Sequence, residues 1–372
     1  MFGNIFKDKK ILITGHTGFK GSWLTLWLSE LGAKICGYSN RVLPDPSHFT
    51  LLKISTCIRH EIGDICDKDK LDKVVTDFKP DIIFHLAAQP LVLEALKNPL
   101  STVQTNTLGT VTLLDVVRRH PDINAVIIVT SDKVYHNQEW AWGYRETDRL
   151  GGKDPYSASK AATELILQSF LNCFFPFGSA HTKRTIVSVG RAGNVIGGGD
   201  WAENRIVPDC MKAWGLGGSV SIRNPMSTRP WQHVLEPLSG YLRLAELAVN
   251  GHFRIHREAY NFGPTQETNR SVLDLLTSMA NRWPQAKWEV EKTSSQSNKP
   301  EAGLLKLSCE KANRDLDWHP AWSYQETVNQ TVDWYRASCH DQSFDALNYG
   351  LKQIEMYSAV ANNQRLSEKK NA

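Results

Sequence analysis

Cysteine is sparse and scattered. Seven residues lie at 36, 57, 66, 173, 210, 309 and 339, with no two closer than nine positions. That spacing holds no CxxC pair and no zinc-type ligand pattern, and an odd count argues against a disulfide framework. The twelve histidines form no HExxH motif or paired cluster, so no metal site is expected. No stretch approaches the roughly 18 consecutive apolar residues of a membrane-spanning helix. The greasiest one, residues 165–177, is broken by Gln168, Ser169, Asn172 and Pro176 and reads as a buried helix. The first residues, MFGNIFKDKK, lack the apolar centre of a secretory signal and lead directly into Ile11-Leu12-Ile13-Thr14-Gly15. Neither sign of charge dominates: 43 Lys and Arg oppose 39 Asp and Glu, a formal +4. This is too mild for nucleic acid but compatible with a site for small anions. Internal repeats are absent. These absences describe a cytoplasmic, metal-free protein with no nucleic-acid or membrane partner.

What is present is ordinary for a globular chain: 372 residues, 41% hydrophobic and 22% charged, with a mean hydropathy of −0.36. The first half alternates strand and helix signals. Strands are expected at 10–14, 33–38, 81–85, 125–130 and 185–189, and helices at 23–31, 67–77, 102–119 and 156–171. Short apolar strands separated by helices of that length predict an α/β, doubly wound parallel sheet of the Rossmann type. After about residue 190 the pattern loosens. Loops at 193–200, 215–218 and 224–231 alternate with short helices, 219–222 reads as a strand, and 271–282 and 325–336 read as amphipathic helices. Segment 292–300 reads as a polar loop, and from Lys352 the chain turns polar, as a helix fraying into a tail. The expected organisation is a dinucleotide-binding unit at 1–190 with a return segment near 230–262. A smaller, loop-rich mixed α/β substrate unit covers 191–340, and a C-terminal helix or tail covers 341–372.

Gly15, Gly18 and Gly21 stand in TGHTGFKGS, after a strand and at the start of a helix. The first glycine permits the tight turn, the second lets backbone N–H groups approach a pyrophosphate, and the third allows close helix–strand packing. Without the flanking strand and helix the triplet would be an ordinary turn. A P-loop requires Lys then Ser or Thr directly after its last glycine. The order here is Lys20-Gly21-Ser22, which excludes it. No acidic residue closes the second strand to hold an adenosine ribose. Ser39 and Arg41 stand there instead, with Arg41 either a partner for a 2′-phosphate or a solvated loop arginine. Asp64 can accept from an adenine amino group, or it or Asp67 can cap the next helix.

Tyr156 and Lys160, four apart, share one face of a helix. A lysine ammonium one turn away favours the phenolate of a tyrosine that is otherwise a poor base at neutral pH. The alternative is a surface pair with no chemistry. In the second half Arg205, Arg223 and Arg229 lie among loops with Asn194 and Trp231. They suit an anionic ligand, because guanidinium reads phosphate bidentately. They can equally pair with Asp200, Glu203 or Glu236. Trp201 and Trp231 either stack on a ligand or fill the core.

With the glycine loop and Tyr-x-x-x-Lys in this order, the chain resembles the extended short-chain dehydrogenase/reductase family. His85-Leu86-Ala87-Ala88-Gln89, Asn106 and Ser131-Asp132-Lys133-Val134-Tyr135 extend the resemblance. An aspartate at position 132 resembles the sugar-nucleotide 4,6-dehydratases of that family, whose dTDP and GDP types continue with glutamate where this chain has Lys133. Together with GRAGNVIGGGDW (190–201) and IRNPMSTRPWQHV (222–234), this looks like the CDP-glucose 4,6-dehydratases, from about Lys10 to Tyr335. The resemblance implies bound NAD, a CDP-glucose substrate, and a lyase forming CDP-4-keto-6-deoxyglucose early in deoxysugar or lipopolysaccharide O-antigen synthesis. It implies dinucleotide contacts from Gly15, Thr17, Gly18, Phe19, Gly21, Ser39, Asp64, Ile65, Leu86, Ala87, Ala88 and Asn106, besides Tyr156 and Lys160. Substrate contacts would come from Gln89, Asn194, Arg205, Arg223, Arg229 and Asn261. Ser131 would bind the sugar 4-hydroxyl beside Tyr156. Asp132 would protonate the departing C6 hydroxyl if burial or the sugar keeps its proton on, and Lys133 would take the C5 proton if desolvated, or the two roles are swapped or relayed through water. Apolar residues on more than one face of helix 156–171, together with helix 102–119, suggest a homodimer joined by a four-helix bundle, as the family shows. Two other readings use the same residues: a nucleotide-sugar 4-epimerase, which needs no acid at C6, and a non-catalytic dinucleotide-sensing regulator, which needs none of Ser131, Tyr156 and Lys160.

Overall fold

The computed structural model describes residues 1–176, 185–265, 269–291 and 304–371. Seven parallel strands form the central sheet: β1 (Lys10–Thr14), β2 (Lys34–Ser39), β3 (Arg59–Ile62), β4 (Ile82–His85), β5 (Ala125–Val129), β6 (Ile186–Ala192) and β7 (Ala259–Phe262). Their spatial order is β7-β6-β5-β4-β1-β2-β3, with Ile11 opposite both Ile35 and Ile82 in the central register. The order reverses between β1 and β4, and the crevice at the carboxyl ends of those strands is where such sheets bind ligands.

Alternation along each strand divides the core in two. Ile11, Ile13, Ile82, Phe84, Ala125 and Ile127 face one layer, with Trp23 and Trp27 of α1 (Phe19–Glu30). Leu12, Ile83, Val126 and Ile128 face the other, where α2 (Lys68–Phe78), α3 (Gly109–Val117) and α4 (Pro155–Phe174) pack. Burial on both faces explains why these strands read as unbroken apolar runs. Further along the chain come α5 (Ile206–Gly215), α6 (Leu235–Val249) and α7 (Ala346–Asn371). Small strand pairs join Val195–Ile196 to Gln232–His233, Thr228–Pro230 to Asn269–Ser271, and Val220–Ile222 to Trp288–Val290. Among the described residues no helix is long and apolar enough to cross a membrane.

The structure adds to the expected pattern and shifts parts of it. The strand β3 escapes a reading by apolar pattern because Arg59-His60-Glu61-Ile62 is an edge strand, half-exposed and held by backbone pairing to β2. The helix expected over 102–119 begins at Pro99 and passes through a π turn at Gln104–Leu108 before α3. The helix read as buried, α4, exposes Leu165 and, half a turn round at its last residue, Phe174. The expected C-terminal helix is α7, which continues through the polar segment and buries Ile354, Tyr357 and Ala361, with Tyr357 edge-on to Trp27 of α1. These residues recur every three to four positions, a stripe that the polar average of the segment hides. The expected loop at 292–300 lies outside the described residues.

Candidate active site

The strand β1 stops at Gly15, whose φ of +78° suits glycine and whose N–H donates to the Tyr38 carbonyl. A Cβ at Gly15 would lie 2.7 Å from the Ala87 nitrogen, so the loops after β1 and β4 meet there. A Cβ at Gly21 would lie 2.1 Å from the Gly15 carbonyl oxygen, the close packing expected of the third glycine. Gly18 caps α1 with extended backbone and no side-chain hydrogen bond, which leaves the first-turn N–H groups available to an anion. This cradle, with no room for a side chain at two of its glycines, fits the diphosphate of a dinucleotide.

At the end of β2, Ser39 Oγ meets His16 Nδ1 at 2.9 Å and the Thr17 N–H at 3.4 Å, while the Thr17 hydroxyl donates to the Arg41 carbonyl. His16 Nε2 contacts His60 Nδ1 at 2.6 Å. Burial, reinforced by His60, pushes His16 down to about 3, so it is neutral at physiological pH. A Cβ at Gly37 would strike the His16 ring at 2.2 Å. The sequence reading missed this histidine pair. His16 lies inside the glycine loop, but its partner His60 comes from the unrecognised edge strand. The Arg41 side chain is exposed. Asp64 turns its Oδ1 to the Cys66 N–H, and it is Asp67 that caps α2 through the Lys70 N–H. Ile65 is buried against Gly109.

Beyond β4, the Leu86 N–H donates to the Thr14 carbonyl and the Ala87 N–H to the Thr14 hydroxyl. Asn106, in the π turn, accepts from the Gln89 N–H at 2.8 Å and donates to the Gln89 carbonyl and the Ser159 hydroxyl. It thereby ties the Leu86–Gln89 loop to α4. The Gln89 amide group is engaged with Thr102 and Leu91.

Asp154 caps α4, accepting from the Ser157 N–H and hydroxyl, and this helix carries Tyr156 and Lys160, both buried. Ser131 caps a short 3₁₀ turn, Asp132–Val134, that follows β5. Its hydroxyl donates to Asp132 Oδ1 at 2.9 Å, and Lys133 Nζ approaches the same oxygen at 3.4 Å. Asp132 is 1% exposed, and its Oδ2 is buried with no hydrogen-bond partner. An orphaned buried carboxylate oxygen is costly unless something else meets it. Burial pushes the Tyr156 phenol above its ordinary value, against the Lys133 ammonium and the Ser131 hydroxyl, which pull it down. The sequence reading gave that pull to Lys160. Burial instead lowers Lys160 itself to about 8, partly offset by Glu164 one turn on. Behind it, Glu164 accepts from Thr130 and forms a buried ion pair with Arg191.

The second half supplies cations unevenly. Arg205 caps α5 and pairs with Asp200 at 2.8 Å, and Asp200 raises its affinity for its proton. Arg229 is buried, with Nη1 donating to the Thr228 carbonyl, and Arg223 is exposed. The Asn194 Oδ1 is buried without a partner. Asn261, expected beside a substrate diphosphate, is instead fully enclosed. It accepts from Tyr135 and donates to the Tyr144 and Ser308 carbonyls, so its amide ties strands and loops together. Trp231 is core, its indole N–H donating to the Arg270 carbonyl.

The family description of the GDP-mannose 4,6-dehydratases matches residues 12–331. The chain belongs to this family. A member from Salmonella typhimurium, CDP-glucose 4,6-dehydratase, is 44% identical over 335 residues, spanning 90% of this chain and 92% of that protein. The dTDP-glucose 4,6-dehydratase of Streptomyces antibioticus is 29% identical, over 88% and 92% of the two chains. Among solved structures, an epimerase from Methanothermobacter thermautotrophicus superposes with a TM-score of 0.76 at 22% identity, over 90% of this chain and 94% of that one. The dTDP-glucose 4,6-dehydratase of Bacillus anthracis, in complex with NAD, gives 0.72 at 21%, over 91% and 99%. These two share the fold. The family's dehydratases and the folds of its epimerase neighbours rest on the same sheet, so the Ser131–Lys133 turn and the Tyr156 helix have to distinguish the reactions.

Proposed function

We propose that the chain converts CDP-glucose to CDP-4-keto-6-deoxyglucose and water, with NAD as its resident cofactor. The observation that carries this is the buried Asp132 carboxyl, one oxygen held by Ser131 and Lys133 and the other unsatisfied, on the turn preceding the Tyr156 helix. Gly15, Gly18 and Gly21 would cradle the NAD diphosphate, with Ser39, Asp64 and the Leu86–Ala88 loop along its length. Bound NAD supplies a hydride acceptor that returns the same hydride at the end, so the redox cycle closes internally. Tyr156 takes the 4-hydroxyl proton as C4 is oxidised to a ketone, and Ser131 orients that hydroxyl. The ketone acidifies C5–H. With the proton of the Asp132–Lys133 pair on Asp132, the neutral Lys133 amine takes the C5 proton while Asp132 Oδ2 protonates the C6 hydroxyl, which leaves as water, and Lys133 would return the proton to C5 as C6 is reduced. Arg205, Arg223, Arg229 and Asn194 would meet the nucleotide diphosphate. Residues 1–190 with a return near 230–262 would hold the cofactor, and 191–340 the nucleotide sugar.

An epimerase would use Ser131, Tyr156 and Lys160 and leave Asp132 idle. Incubation with CDP-, dTDP-, GDP- and UDP-glucose, with products followed by mass, tests both. Loss of water from the CDP sugar supports the reading. An isomer of unchanged mass, or no turnover of the CDP sugar, overturns it.

The protein acts as a cytoplasmic homodimer in this reading, at an early step of deoxysugar or lipopolysaccharide O-antigen synthesis. Leu100, Val103, Leu108 and Leu165 are exposed on neighbouring helices, Leu100 by 70%. A second copy covering them would complete a four-helix bundle. A monomer in sedimentation at micromolar concentration would exclude it.

A further inference from the structure

The glycine loop carries one side chain that neither the cradle nor the acid–base turn uses. Lys20 follows Phe19 in the first turn of α1, and its Nζ lies 6.0 Å from the centre of the Tyr241 ring. Tyr241 of α6 packs against Gly190 of β6, where an added Cβ would come within 2.4 Å of the ring. Lys20 thus points from the cradle toward the carboxyl ends of β5 and β6. The charges that act on its ammonium are Arg205, Lys160 and Lys133, with Asp132 opposing them.

Each of those three cations already answers to a carboxylate. Arg205 pairs with Asp200, Lys133 approaches Asp132, and Lys160 stands one turn from Glu164. Glu164 is itself taken by Arg191. Lys20 has no hydrogen bond or ion pair among the described residues. Lys20 therefore lies near these cations without a carboxylate in ion-pair reach among the described residues, and a phosphate oxygen would supply the missing anion.

We propose that Lys20 is a diphosphate-binding residue whose ammonium pairs with a phosphate oxygen of a nucleotide bound in the cleft. This rests on the reading that the cleft takes both a dinucleotide and a nucleotide sugar. Both carry a diphosphate, and Lys20 stands between the cradle and the Ser131–Lys133 turn. Burial and Arg205 lower Lys20 to about 7. Much of it is neutral at pH 8, and an arriving anion draws a proton onto it. The other groups that act on it are Lys160, Lys133, Asp132 and Arg205, with the Tyr241 ring beside it.

The test is calorimetry at pH 8 in two buffers of different ionisation enthalpy. NAD is titrated into the full chain stripped of nucleotide, and CDP into the NAD-loaded protein. In one arm, Lys20→Met should raise Kd about tenfold or more, the loss of one charge-assisted contact, and should abolish most of the proton uptake seen in the wild type. The arm in which this occurs identifies whose diphosphate Lys20 holds. Lys20→Arg should keep the affinity but not the proton uptake, because guanidinium stays charged, and this pair of readouts holds even if the Met variant folds poorly. Proton uptake and both affinities unchanged in Lys20→Met would overturn the proposal while leaving the nucleotide reading intact. A wild type that binds neither NAD nor CDP would overturn both.

Discussion

Asp132→Asn should cut the reaction between its oxidation and its elimination. In the native turn Asp132 Oδ1 receives the Ser131 hydroxyl at 2.9 Å and lies 3.4 Å from Lys133 Nζ. An amide can put its own oxygen there and keep the Ser131 contact, so the surroundings of Tyr156 survive. The amide nitrogen then replaces the unpartnered Oδ2, close to Gly193, where a Cβ would sit 3.4 Å from that atom. It can donate a hydrogen bond but cannot give up a proton. A general acid contributes roughly 10²–10⁴-fold, equivalent to about 3–5 kcal/mol of barrier. Rapid mixing with CDP-glucose, with nicotinamide absorbance and quenched products read together, should show reduced cofactor and a 4-keto-hexose accumulating while 6-deoxy product forms slowly. Tyr156→Phe should stop earlier, with substrate bound and no hydride moved. Undiminished 6-deoxy product from Asp132→Asn would refute the role given to this carboxyl.

Two further perturbations test the scaffold. Gly21→Ala drives a Cβ to 2.1 Å from the rigid Gly15 carbonyl. It should lower stability by about 1–3 kcal/mol and weaken NAD binding severely, and a wild-type melting curve with intact NAD affinity would show that the cradle is looser than its geometry. Glu236, buried beneath the Ala321 and Trp322 N–H groups and Tyr357, is raised from its ordinary 4.5 to about 7 by burial, against those hydrogen bonds. The folded state holds its proton more tightly than the unfolded chain, so its contribution is fully present below pH 4.5 and is lost as pH rises through about 7. Glu236→Gln should flatten the fall of the thermal midpoint over that window. An unchanged slope would assign the pH dependence to other groups.

The sequence alone determined the features governed by neighbours along the chain. The glycine triplet, the parity that splits each strand between two core layers and the shared face of Tyr156 and Lys160 follow from backbone turn, pleat and helix periodicities. Those act within about four residues. The resemblance to the dehydratases was carried locally too, since Ser131, Asp132 and Lys133 are consecutive. Tertiary structure decided whatever depends on residues far apart. The edge strand β3 exists because β2 offers it hydrogen bonds, and its own residues carry no apolar signal. Asn106 reaches Ser159 across 53 positions, and Tyr135 reaches Asn261 across 126, which turned an expected ligand into an internal tie. The pattern of the chain could not say that burial would raise Tyr156, lower Lys160 and leave Asp132 Oδ2 without a partner. Desolvation is set by everything that closes over a group, and here that closure comes from distant strands, helices and loops.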